Sequence, residues 1–394
     1  MFDVHEWIGD VHRAGGSDLL ITAGLLPQAR IDGEYQPVGT GRPLTADDTR
    51  TLIESLLAEP QLAQLERDRQ VDFAFSWRNA LRVRGNAFVQ RGTLAVALRL
   101  IPLEVPSISE LGLPPVVADL AEKPSGLVLV TGPTGSGKST TLAALVDHVN
   151  ATRALHILTV EDPVEYVHPH RRSVVNQREI GVDAISFADA LRAALREDPD
   201  VILVGEMRDL ESIAITLTLA ETGHLVFATL HTNDTAQALD RIVDVFPSDR
   251  RDQIQVQLSA SLQGVVYQRL VKRLGGGMVA AFEVMTATNA VRNLVREGKT
   301  RQLRNVVSTQ QAEGMQTLES SLSHLVNEGI VDLADARAVS LFPKEVIEHP
   351  RPLLMPGLEP EPAPGQASDL PEPPRPPSHL APPTAGARRR RLGG

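Results

Sequence analysis

An apolar run, Leu127–Val130, opens directly into Gly132-Pro133-Thr134-Gly135-Ser136-Gly137-Lys138-Ser139-Thr140, and a helical pattern follows over 141–149. No other feature of the chain restricts its fold so tightly. The spacing G-x-x-x-x-G-K-[ST] between a strand and a helix makes a loop whose glycines turn backbone N–H groups inward as an anion nest. The helix N-terminus adds about half a positive charge. Lys138 is placed to reach β- and γ-phosphates, and the Ser139 hydroxyl to ligate Mg²⁺. The expected ligand of residues 132–140 is a nucleoside triphosphate, ATP with Mg²⁺.

The strand before the loop is one of four apolar runs. Leu127–Val130, Ile157–Val160, Val201–Val204 and Leu225–Thr229 alternate with helical patterns at 186–196 and 210–222. Continuous apolar runs mark strands covered on both faces, so an α/β core with a parallel sheet is expected over 125–270. Ahead of it, 1–105 reads as a small α+β domain. A helix starts from a Thr45 cap with Leu52, Ile53, Leu56 and Leu57 on one face, and β-rich stretches follow at 71–75, 81–90 and 93–99. Residues 106–124, punctuated by Pro106, Pro114, Pro115 and Pro124, read as a linker, and 271–346 as mostly helical. Beyond His349 stand 13 of the chain's 28 prolines, with few β-branched or aromatic residues. Such a composition cannot bury enough apolar surface to offset ordering entropy, so 347–394 is expected to be a disordered tail, ending in Arg388–Arg391.

Triphosphate hydrolysis also needs a group that activates water and charges that offset those developing on phosphate. Candidates stand at the strand ends. Asp200–Glu206 is an apolar strand ending in an acid, which makes Glu206 the expected base. Gly205 occupies the place where many phosphate-loop enzymes put a metal-holding aspartate. Mg²⁺ must then draw on acids elsewhere, and Glu161 and Asp162 follow the strand Ile157–Val160. In doubly wound sheets such positions line the ligand crevice. His231 follows the last strand, where a γ-phosphate sensor belongs, while His224 precedes it and reads as structural. Two histidines at opposite ends of a strand are poor shared metal ligands.

The formal net charge is −10 and no basic, aromatic-rich groove is visible, which argues against a nucleic-acid partner. The chain has no cysteine, so disulfides, thiolate metal sites and a cysteine nucleophile are excluded. Asp3 and Glu6 precede any basic residue, unlike a secretory signal, and no stretch approaches the ~20 apolar residues of a membrane span. A cytoplasmic chain, reaching a membrane through a partner, is expected.

Several motifs coincide with one family. The loop 132–140, Thr159–Glu165, Leu195–Asp209, and Thr222-Gly223-His224 with Leu230-His231-Thr232 resemble the Walker A, Asp box, Walker B and His box of the secretion ATPases, over about residues 5–345. These drive type IV pili and type II secretion. Within them the chain is most similar to the pilus retraction branch. Ala290–Lys299 resembles that branch's AIRNLIRE signature, and Gly314–Leu318 also fits. Extension and type II secretion relatives usually carry a longer N-terminal part and a four-cysteine zinc site. The resemblance implies a PAS-like N-terminal domain, a RecA-like P-loop ATPase domain with a helical C-terminal region, and a homohexameric ring. It further implies a location at the inner face of the cytoplasmic membrane, against a platform protein. Arg292, Asn293, Leu294 and Arg296 would couple to retraction. Arg82, Arg84 and Arg99 read by themselves as solvated strand-face residues; the resemblance implies that at least one approaches the phosphates. One departure is Ser17–Ile21, which lacks the histidine often found there. A pilus-extension or type II secretion ATPase and a nucleic-acid translocase remain the alternatives.

Overall fold

The computed structural model describes residues 2–31, 34–78, 81–102 and 104–348. Expectations for residues from 349 onward, including Arg388–Arg391, fall outside the described residues. Among the described residues, no helix is long and apolar enough to cross a membrane.

The first sheet is antiparallel, with strands β1 (Asp18–Ile21), β2 (Gln28–Ile31), β3 (Glu34–Pro37), β4 (Gln70–Trp77), β5 (Leu81–Gln90) and β6 (Thr93–Pro102) in the order β3-β2-β1-β6-β5-β4. Its alternation buries one face: Leu19, Val83 and Leu98 pack with Trp7 and Ile8 of the helix Val4–Arg13 and with Ile53 of the helix Ala46–Leu56. Thr45 caps that second helix as expected, in a reciprocal box with Asp48. A further helix, Glu59–Asp68, precedes β4.

The second sheet holds β7 (Gly126–Thr131), β8 (His156–Glu161), β9 (Val174–Glu179), β10 (Val201–Val204), β11 (Leu225–Leu230), β12 (Leu262–Lys272) and β13 (Met278–Thr286), in the order β13-β12-β7-β11-β10-β8-β9. All neighbours pair in parallel except β12 and β13. Every residue of β7, β10 and β11 is buried, as their unbroken apolar runs predict. The register aligns the ends: Val204 lies beside Val160 and Ala228, and Leu230 beside Thr131. The segments that follow β7, β8, β10 and β11 therefore leave the sheet along one edge, where a ligand crevice forms in this architecture.

Two stretches depart from the sequence reading. The sheet continues past residue 270, because β13 pairs with Gly264–Lys272 of β12 inside the region expected to be helical. The stretch 106–124 is not only linker: it contains the helix Pro115–Ala121, whose Val117, Leu120 and Ala121 pack into the core beside β7. Pro114 and Pro115 initiate that helix rather than break it, since a fixed φ suits its first positions.

Candidate functional site

The helix after β7 runs from Lys138 to Thr152. Gly137 caps it at φ 87°, and Gly132 sits at φ 149° with so little room that an added Cβ would lie 2.5 Å from the Gln268 carbonyl oxygen. Glycine is required at both places. Thr134, Gly135, Lys138 and Ser139 line a cleft together with Glu161, Asp162, Glu206 and His231. The structure thus gathers every expected base, sensor and metal residue around the loop. Pro133 and Gly132 contribute carbonyls, and the Thr140 hydroxyl lies 3.0 Å from that of Tyr166.

Lys138 is buried, and its Nζ donates to the carbonyls of Gly132 and Pro133 at 2.9 Å each. Burial lowers its pKa, against the pull of the Glu206 and Glu165 carboxylates. Nζ also lies 3.3 Å from His231 Nδ1, and His231 Nε2 lies 3.3 Å from Glu206 Oε1. An ammonium has only protons to give, so Nδ1 accepts and Nε2 donates to Glu206. His231 is the bridge between the loop's cation and the acid at the end of β10. Glu206 Oε2 meets Arg208 at 2.7 Å. Partial burial works to raise the Glu206 carboxyl, but Arg208 and His231 outweigh it and hold it below its ordinary value, ionised.

Gly205 has a physical reason. Its N–H donates to the Val160 carbonyl at 2.8 Å, and an added Cβ would press on that oxygen and on Glu161 Cα, both at 3.2 Å. A side chain at this position would crowd the end of β8. Across that gap stands Glu161, held by the Thr159 hydroxyl at 2.6 Å and by Gln177 at 3.3 Å. Burial pushes the Glu161 carboxyl up to about 7.

The arginines divide. Arg82 donates to Glu179 at 3.0 Å, and Glu179 also accepts from the Val164 N–H. Because Glu179 pairs with Glu161 in register, Arg82 ties β5 to the strand beside the cleft. Arg84 and Arg99 lie instead in a shallow depression of the first sheet with Asp72 and Asp18; Arg99 pairs with Asp18 at 2.8 Å. His224 stands at the opposite end of β11 from His231, its ring against the Leu219 carbonyl at 2.9 Å, closing the helix Leu210–Glu221.

The helix Asn289–Arg296 is outside the cleft too. Arg292 donates to the carbonyls of Ser259, Ala260 and Ala287 at 2.7, 2.8 and 3.0 Å, so it closes the end of the helix Arg251–Ser261. Leu294 packs on the core, while Asn293 and Arg296 bond each other on the surface at 2.6 Å. Arg292→Ala leaves two helix-end carbonyls and that of Ala287 without this donor. We expect it to lower the unfolding free energy by roughly 2–3 kcal/mol, read by urea titration, with KM for ATP unchanged.

The family model described as Type II/IV secretion system protein matches residues 63–278. The type IV pilus retractation ATPase PilT of Pseudomonas aeruginosa is 46% identical over 342 residues, covering 87% of this chain and 99% of the relative. The chain belongs to the secretion ATPase family. A twitching motility protein of Neisseria gonorrhoeae is 48% identical over 79% of this chain and 83% of its own length. The crystal structure of the pilus retraction motor PilT with bound ADP superposes with a TM-score of 0.83 at 48% identity, covering 88% of this chain and 99% of that one. Identity of this extent to retraction proteins places the chain in that branch of the secretion ATPases.

Sequence reasoning passed over several cleft residues of this secretion ATPase. Arg208 and Glu165 stand inside quoted motifs without a role, and their signal was charge at a strand end. Tyr166 and His168 carry no signal beyond following the acidic segment. His168 is buried with Nδ1 unpartnered among the described residues. Burial pushes its imidazole down to about 4, with Asp147 opposing and Arg171 adding to the shift. The unfolded chain takes up this proton near pH 6.5, the folded one only near 4, so the associated stability is intact above about 6.5 and lost as pH falls through that window. In His168→Gln, a loss on the order of 3 kcal/mol between pH 7 and 4 should be absent from stepped-pH urea unfolding. An unchanged slope would count against it.

Proposed function

We propose that this chain is a Mg²⁺-dependent ATP hydrolase that powers type IV pilus retraction, working at the inner face of the cytoplasmic membrane as a ring of six subunits against a platform protein. The observation that carries the reading is the convergence of Lys138, His231 and Glu206 at one sheet edge, in a chain that matches a retraction ATPase over 87% of its length. The division into a small domain over 1–105 and an ATPase core from 125, extended here to Thr286 by β13, belongs to the same reading.

The loop's N–H groups and helix terminus hold the phosphates. Lys138 leaves the Gly132 and Pro133 carbonyls to donate to them. Glu206, ionised and steered by His231, takes the proton of the attacking water. Ser139, Glu161 and Asp162 would hold Mg²⁺, for which their hard oxygen donors are suited. The ion would neutralise charge developing on the phosphates. Arg82 is engaged by Glu179 in its own subunit, whereas the Arg84 side chain makes no ion pair or hydrogen bond among the described residues. Arg84 is therefore the arginine freest to reach a neighbouring subunit's phosphates, a contribution of about 10³–10⁵ in rate in other triphosphatases. Closure and opening of the small domain over the core would carry the stroke, and the Asn289–Arg296 helix would transmit it.

Phosphate release from ATP by the purified full chain tests the enzymatic part. Turnover that needs Mg²⁺ and stops with chelator is expected; a chain that binds ATP and never turns it over contradicts it.

A further inference from the structure

One buried side chain of β12 grips the phosphate loop from behind. Gln268 is 1% exposed and sits just past the pairing of Tyr267 with Thr131, the last residue of β7. Its Nε2 donates to the Ser136 carbonyl at 2.5 Å, and its Oε1 accepts from the Thr141 hydroxyl at 2.7 Å. The orientation of the amide is fixed from both sides. The Ser136 carbonyl can only accept, so it faces the NH₂ group, and the Thr141 hydroxyl supplies the proton for Oε1.

The consequence follows from peptide geometry. In a trans peptide the carbonyl and the next N–H point in opposite directions. Drawing the Ser136 carbonyl back toward β12 turns the Gly137 N–H away from it, toward the concave side of the loop, where an anion nest needs it. Gly137 lies so close that an added Cβ would stand 3.0 Å from Gln268 Nε2, and the Gln268 backbone carbonyl closes in more tightly still on Gly132, at 2.5 Å. The loop is shaped before any phosphate arrives, and preorganised donors bind anions without a reorganisation cost.

We propose that Gln268 is a positioning residue for nucleotide binding: its amide, clamped by Thr141, holds the Ser136–Gly137 peptide in the anion-binding orientation. The proposal rests on the nucleotide reading of the loop. It predicts an effect on affinity rather than on the chemical step, because the nest holds ground state and transition state alike.

Gln268→Glu keeps the shape and the acceptor for Thr141 but loses the donor to Ser136. In the full-length protein, titration with a fluorescent ADP analogue should show a Kd raised about ten- to a hundredfold, and KM for ATP should rise in parallel, with kcat within a few-fold. Thr141→Val frees the amide and should weaken binding several-fold, whereas Thr141→Ser retains it. Kd within twofold of wild type for Gln268→Glu, while Lys138→Ala abolishes binding, would overturn the proposal and leave the nucleotide reading standing. A fall in kcat and melting temperature with Kd unchanged would overturn it too, marking a packing role. Should Gln268→Glu fail to fold, equal affinities for Thr141→Val and Thr141→Ser decide against it. A wild-type chain that takes up neither ADP nor ATP removes the nucleotide reading and this proposal together.

Discussion

Glu206→Gln is expected to lower ATP turnover by about 10²–10⁴ while ADP and ATP affinity stays within a few-fold. The substitution preserves volume and one acceptor oxygen, so the contacts to His231 Nε2 and Arg208 survive in part. What disappears is the anionic oxygen that receives the proton of water. In the folded chain that carboxylate is held ionised by Arg208 and His231 against partial burial, the state a base must be in before the reaction starts. Single-turnover phosphate release separates the step from binding. Residual turnover near the wild-type rate would move the base to another acid of the cleft, with Glu161 next in line.

Lys138→Ala should have an effect of similar size on a different quantity. Lys138 is the only lysine of the loop, and a charge-assisted contact to phosphate is worth enough that its loss should weaken nucleotide binding by about a hundredfold or more and silence hydrolysis. The folded chain without nucleotide should barely notice. Burial already works against the ammonium, lowering its pKa, and the hydrogen bonds to Gly132 and Pro133 only offset that cost. We therefore expect a melting temperature close to wild type in the absence of nucleotide, and no upward shift on adding ADP. A large drop without nucleotide would mean that Lys138 holds the fold rather than the ligand.

Much of this site is legible in the sequence because its parts are local. The loop 132–140, the acid after β8, the acid after β10 and the histidine after β11 each follow an apolar run, and parallel strands in register bring such positions to one edge. Long-range pairing is where the sequence falls silent. Nothing near Arg82 announces Glu179, which lies 97 residues away, and nothing near Gln268 announces Ser136, at a separation of 132 residues. Gly205 could be read as a missing aspartate; only the 3.2 Å approach to Val160 and Glu161 shows that a side chain there would crowd β8. Pro114 and Pro115 concealed a helix because proline at a helix start and proline in a linker look alike in one dimension. β13 was hidden for a different reason. Its partner β12 follows a helix, and an antiparallel strand added to a parallel sheet breaks the alternation from which the core was inferred.

Motor direction is tested most directly by counting surface pili on cells that lack this chain. Retraction predicts more pili than wild type with twitching abolished, restored by the wild-type chain and not by Glu206→Gln. Bald cells would contradict retraction and assign the motor to extension.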